Sequence, residues 1–274
     1  MRLVQPCGVP FKFKGAFMLD KILNIDCLEG MKNIESNSVD LIICDLPYGV
    51  TDCSWDSVIP FDELWEQYKR VLKPGGVCCL FCSQPFTTDV INSNRRWFKY
   101  CWYWDKVGST GFGFAKYQPM RRIEEIAVFY KPVNGRRTEK YRYYPDVRPA
   151  DRKRRHKPPR DGVYRDSLYS GNCGECFTGY PDNVIRISSR GRELASGKRL
   201  HPTQKPLDLL EFLIKIYSQA GDIVLDNCAG SGSTLVAAMR AGRHFIGMEK
   251  DEHYFSIAAE RLEAERENLN EGSN

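Results

Sequence analysis

Val77-Cys78-Cys79-Leu80-Phe81-Cys82 is an unbroken apolar run, closed upstream by Lys73-Pro74-Gly75-Gly76. A segment with no polar position has no face to give to water. Its length and flanks read as a strand covered on both sides, which demands a sheet between two helical layers. The neighbouring segments meet that demand. Phe61, Leu64, Trp65, Tyr68, Val71 and Leu72 fall on one helical face, and Val39 to Ile43 before them is strand-forming. After the run come a helix near Pro85 to Ser93 and strands through Phe98 to Trp104 and Ile123 to Tyr130. Further on, Leu209, Leu210, Leu213, Ile214 and Tyr217 mark a helix, and Asp222 to Asp226 a strand. Thr234 to Arg240 reads as a helix, His244 to Glu249 as a strand, and Tyr254, Ile257, Ala258 and Leu262 as the buried face of a last helix. Past Arg266 the tail is polar and is expected to fray. Strands alternating with helices predict an α/β fold with a doubly wound, mostly parallel sheet.

Several of these strands lead into acids. Ile43-Cys44-Asp45-Leu46-Pro47-Tyr48-Gly49 offers a carboxylate, a carbonyl before a proline, an aromatic ring and a glycine in quick succession. Asp45 can hold a planar amine by its hydrogens while Tyr48 covers its face. Read alone, the stretch is equally a strand ending in a proline turn. A second strand-to-turn junction, Asp226-Asn227-Cys228-Ala229-Gly230-Ser231-Gly232-Ser233, opens a helix, and Glu249 ends the next strand 19 residues after Gly230. Glycines there permit close backbone approach, and the later acid suits ribose hydroxyls. The spacing departs from the dinucleotide pattern, and Asp226 would repel a pyrophosphate. It suits an amino group instead, so S-adenosylmethionine, with a ribose, a cationic methionine end and no phosphate, fits all three features.

The middle of the chain breaks the rhythm. Residues 131–200 carry 18 Lys and Arg against 8 Asp and Glu, a local +10 within a net +5. They read as an inserted basic module with long loops. Its tyrosines and cations fit a polyanion, because neutralising phosphates releases condensed counterions. Arg152, Lys153, Arg154 and Arg155 are expected to hold phosphates rather than read bases. Cys173 and Cys176 have a zinc-like spacing with no second pair at finger distance, so no metal is expected. Residues 1–17 read as an irregular extension. The eleven cysteines are odd in number and several lie in apolar runs, which points to reduced, buried thiols and a cytoplasmic setting. No apolar run reaches spanning length.

With these motifs in place, the chain resembles the amino-methylating DNA methyltransferases in their beta-class order, over about residues 20 to 265. In that order the catalytic segment comes first, then the recognition region, then the cofactor loop. Asp45-Leu46-Pro47-Tyr48 matches the catalytic tetrapeptide, with Leu46 where proline is usual. His201 to Pro206 matches the segment before the cofactor loop, and Asp226 to Gly232 the loop itself. The resemblance implies a Rossmann-like catalytic domain over 18–130 and 201–266, a target-recognition region over 131–200, and a polar tail over 267–274. It implies that Asp45 and the Leu46 carbonyl accept the hydrogens of the target amine, Pro47 stiffens the turn and Tyr48 stacks on a flipped base. Glu249 would take the ribose of S-adenosylmethionine, Asp26 its adenine amine, and Gly230 and Gly232 its methionine end. Thr203, Lys205 and Ser233 are candidates for the methionine carboxylate. An aspartate at the first tetrapeptide position goes mostly with adenine. DNA is the expected partner, and the family admits a homodimer and a cognate restriction endonuclease. Cytosine-N4 methylation, methylation of RNA amines and a degenerate nucleic-acid-binding module are the rival readings.

Overall fold

The computed structural model describes residues 18–49, 57–133, 142–149, 177–190 and 204–271. By compactness the chain divides into a main unit, residues 1–143 and 183–274, and a second unit, residues 144–182. The main unit is built on an eight-stranded sheet. In chain order its strands are β1 (Lys21–Asn24), β2 (Val39–Asp45), β3 (Leu72–Cys82), β4 (Phe98–Thr110) and β5 (Arg121–Tyr130). In the second unit, β6 (Arg148–Pro149) and β7 (Phe177–Thr178) form a short antiparallel pair. β8 (Val184–Arg186), β9 (Ile223–Asp226) and β10 (His244–Glu249) return to the main sheet. The spatial order is β1-β10-β9-β2-β3-β5-β4-β8. The first five of these run parallel, and β5 is antiparallel to both of its neighbours.

Side-chain alternation builds the layers. Leu41 and Ile43 of β2 and Val77, Cys79 and Phe81 of β3 point to one face, where α4 (Leu207–Tyr217), α5 (Ser233–Arg240) and α6 (Glu252–Glu271) pack. Ile42, Cys44, Cys78, Leu80 and Cys82 point to the other, against α1 (Cys27–Met31), α2 (Phe61–Val71) and α3 (Phe86–Ser93). The apolar run of β3 is therefore buried on both faces, as its composition requires. Each such large side chain removed from water stabilises the fold by roughly 1.5–3 kcal/mol. The cysteines among the described residues are free, and most are buried. Burial pushes the Cys44 thiol up to about 12, which keeps it protonated and inert at neutral pH.

One sequence expectation is corrected. The C-terminal helix does not fray at Arg266 but continues to Glu271. Its last turns are tied down, because Arg266 donates to the Asp20 carbonyl at 2.5 Å and Glu265 receives both prongs of Arg240 at 2.7 Å. Within 131–200, expected as one inserted module, some residues join the main unit. Arg142 and Tyr143 belong to the main unit, and Val184–Arg186 is an edge strand beside β4. Residues 1–17, the Cys173 and Cys176 pair and the Arg152 to Arg155 cluster lie outside the described residues. Among the described residues no helix is long and apolar enough to cross a membrane.

Gly232 fixes how closely α5 and α6 approach. Its φ is +78°, and a Cβ there would stand 2.9 Å from the Ala258 Cβ. Gly232→Ala should lower stability by about 1–3 kcal/mol through backbone strain and overpacking. Adding Ala258→Gly should return part of that loss, so that the double variant is less destabilised than the sum of the single ones. Urea denaturation of the four proteins measures this coupling, and strict additivity would contradict it.

Candidate active site

Because β1, β10, β9 and β2 are neighbours running the same way, their carboxyl ends form one edge. Each delivers an acid there. Asp26 follows β1, Glu249 ends β10, Asp226 ends β9 and Asp45 ends β2. The chain winds from β2 toward β3 on one side and from β9 toward β10 on the other, so the β9–β2 junction is the switch point where an open α/β sheet leaves a crevice. A cavity of about 590 Å³ occupies that place, and all four acids line it. Glu124 and Asp251 also line it, making six carboxylates against Lys106, Lys205 and Lys250. That balance favours a cationic ligand and disfavours a phosphate.

The glycine loop forms one wall and is held on several sides. The Ala229 amide donates to the Met248 carbonyl of β10, and the Gly230 amide to the Glu249 carboxylate, at 2.8 and 2.7 Å. The other Glu249 oxygen receives the Asp251 amide at 2.8 Å. Burial raises the pKa of Glu249, and these two amides counter part of that rise. From α6, Arg261 reaches the carbonyl and hydroxyl of Ser231 and the hydroxyl of Ser233. Beneath the loop, the buried Tyr68 hydroxyl donates to Asn227 at 2.7 Å. Gly230, Ser231 and Ser233 face the cavity, whereas Gly232 meets α6. Asp26 accepts the Leu28 amide at 3.0 Å as the N-cap of α1 and lies 3.5 Å from the Lys250 ammonium.

Asp45-Leu46-Pro47-Tyr48 forms the opposite wall. The Tyr48 hydroxyl donates to one Asp45 oxygen at 2.9 Å, and the Lys205 ammonium to the other at 2.5 Å. Lys205 thus stands on the tetrapeptide, across 160 residues of sequence, with its ammonium also 4.9 Å from the centre of the Phe81 ring. Burial opposes its charge, but Asp45 and Glu124 outweigh it and the pKa of Lys205 rises. The Tyr48 ring stacks on Phe86 of α3, with centroids 4.8 Å apart. Leu46 is buried, so the usual proline at this position is replaced by a side chain that the core absorbs.

The structure thus brings Asp26, Asp45, Leu46, Pro47, Tyr48, Lys205, Asp226, Gly230, Ser233 and Glu249 to one cavity. Thr203 lies outside the described residues. Glu124, Asp251 and Tyr254 were not foreseen as lining residues. The available signal for Glu124 was a pair of acids, Glu124 and Glu125, entering the apolar run of β5, and Asp251 lies two residues past the acid-ended β10.

A doubly wound sheet with an acid-lined crevice at its switch point defines a cofactor-binding α/β enzyme fold. The profile of a DNA methylase family, the one acting at N6 and N4 amines, matches residues 39–260, and the chain belongs to this family. Among curated proteins, the type II methyltransferase M.HindIII of Haemophilus influenzae is 26% identical over 92% of this chain and 97% of its own length. M1.MboII of Moraxella bovis is 29% identical over 88% and 95%. Among solved structures, the M1.HpyAVI–SAM complex aligns with a TM-score of 0.58 at 26% identity, covering 88% of this chain and 98% of its own. The cytosine-N4-specific PvuII DNA methyltransferase shares the fold, with a TM-score of 0.61 at 17% identity over 89% of this chain and 90% of its own.

Burial raises the pKa of Asp226 from 3.8 to about 7, against the hydrogen bonds that favour its ionised form. The unfolded chain therefore ionises this group first as pH rises. The fold loses stability between about pH 4 and pH 7 on its account, and the loss levels off above that. Asp226→Asn should match the parent near pH 4 and exceed it by on the order of 2 to 4 kcal/mol at pH 8. Thermal unfolding across that range reads the difference, and a gap that narrows with rising pH would contradict it.

Proposed function

We propose that this DNA methyltransferase transfers a methyl group from S-adenosylmethionine to the exocyclic N6 amine of an adenine flipped out of a DNA duplex. The observation that carries the reading is that the tetrapeptide and the glycine loop face each other across one acid-lined cavity. The lining fits the cofactor. A phosphate-bearing group would meet four strand-end carboxylates, whereas a sulfonium and an ammonium are stabilised by them. We assign the ribose to Glu249, the adenine amine to Asp26, and the methionine end to Asp226, Gly230 and Ser233. When bound, S-adenosylmethionine supplies an electrophilic methyl group.

The chain's own residues do the rest. The lone pair of an adenine amine is conjugated with its ring, so the amine is a weak nucleophile. Asp45 accepts one of its hydrogens and the Leu46 carbonyl the other, which favours a pyramidal nitrogen with its lone pair free. Lys205 holds the Asp45 carboxylate in place through their ion pair, and so acts as a positioning residue. After transfer, the proton that the nitrogen loses moves toward Asp45. Tyr48, backed by Phe86, covers the base, and Pro47 limits the backbone's freedom. Positioning of this kind supplies most of the rate.

Adenine is supported by the aspartate at the first tetrapeptide position, following the association the resemblance implies. The basic stretch 131–200, with Arg152, Lys153, Arg154 and Arg155, is assigned to phosphate contacts and target recognition. By analogy with the type II relatives, the modification would protect a site from a cognate endonuclease. Incubating the protein with DNA and methyl-labelled cofactor, then digesting to nucleosides, should place the label in N6-methyladenine. Label in N4-methylcytosine would overturn the choice of base, and label in RNA alone would overturn the choice of substrate.

A further inference from the structure

The connection between β4 and β5 carries a surface that the catalytic reading leaves unused. From Lys106 to Arg122 the sequence has no acid, four cations (Lys106, Lys116, Arg121 and Arg122) and three aromatic rings. Phe112, Phe114 and Tyr117 are 84%, 61% and 85% exposed, with Met120 and Val107 exposed beside them. Rings left so open to water are a cost to the isolated chain and mark a contact surface. A 3-10 turn at Phe112–Phe114 follows Gly111, whose φ of +89° favours glycine. Among the described residues, a Cβ added to Gly108, Gly111 or Gly113 would meet nothing within 4 Å, so their packing does not require these glycines. The root of the hairpin is fixed. Arg122 forms a two-pronged pair with Asp105 at 2.6 and 2.8 Å, and Lys106 and Thr110 line the same cavity as Asp45.

An exposed aromatic tip flanked by cations, on a hairpin whose root lines the cavity, complements the bases and phosphates of DNA. We propose that this hairpin enters the base stack of the DNA beside the target, with Phe112 and Phe114 filling the gap that the flipped base leaves and Tyr117 stacking on a neighbouring base. Lys116 and Arg121 meet the flanking phosphates. The proposal rests on the reading that the target base turns out into the cavity. A flipped base leaves its neighbours unstacked and its partner unpaired, which opposes flipping. Aromatic rings stack on any base, so the hairpin lowers that barrier without reading sequence. A protein partner would also cover apolar rings, but the cations of an acid-free tip complement a phosphate backbone.

The test compares wild type with Phe112→Ala/Phe114→Ala on two duplexes carrying a mapped target site, one fully paired and one with the target base mismatched. The rings are exposed, so the variant should fold and bind S-adenosylmethionine as the parent does. On the paired duplex its kcat/KM should fall 10-fold or more. On the mismatched duplex, where flipping is already eased, it should fall less than threefold, and Phe112→Trp should retain wild-type behaviour on both. Unchanged transfer on the paired duplex, or an equal loss on both, would overturn the hairpin's role and leave the catalytic reading standing. A wild-type chain that methylates neither duplex would remove that reading and this proposal with it.

Discussion

The parallel pairing of β2 with β9 is the constraint on which the rest of the molecule depends. These strands lie some 180 residues apart in sequence, yet Leu41 sits opposite Val224 and Ile42 opposite Leu225. Their amino ends are locked by Asp40, which is fully buried. Its carboxylate accepts the Ile223 amide at 2.9 Å and pairs with Lys73 and Arg142 at 2.8 Å. Their carboxyl ends carry Asp45 and Asp226. A one-residue slip of β9 would reverse which side chains face each layer, so the core on both faces protects the register. The tetrapeptide and the glycine loop therefore face each other as a direct consequence of hydrophobic packing.

Four strand-end acids along one edge are an electrostatic burden on the fold. Nearby carboxylates repel one another, and burial adds to the cost for Asp226 and Glu249. The fold offsets part of it locally, through amides donated to Glu249 and Asp226 and ammonium groups placed beside Asp45 and Asp26. What remains makes the cavity receptive to a cation. Stability and function are thus opposed along this edge, as is common at binding sites.

Much of this was legible in the sequence, for a physical reason. Strand and helix periods, strand-ending acids and glycine loops are local signals, so the strand order along the chain, the tetrapeptide and the glycine loop could be read directly. What could not be read was partnership over long separation. Lys205 appears in sequence as one basic residue in a loop, and its contact with Asp45 exists only once α4 packs under β2 and β3. Glu124 likewise gains meaning only from β5 lying antiparallel to β3. The anchoring of α6 at Glu265 and Arg266 comes from Arg240 and Asp20, residues distant in sequence. The hairpin tip was missed because its glycines and rings have no period, and only exposure distinguishes them from core aromatics.

We assign two separate tasks to one crevice, cofactor binding on its glycine-loop side and amine activation on its tetrapeptide side. Measuring S-adenosylmethionine binding by calorimetry alongside methyl transfer to DNA, for Glu249→Ala and Asp45→Ala, tests this assignment most directly. Glu249→Ala should weaken binding at least tenfold. Asp45→Ala should keep binding within a few fold of the parent while transfer falls at least 100-fold. Loss of binding in Asp45→Ala, or transfer retained in it, would contradict the account.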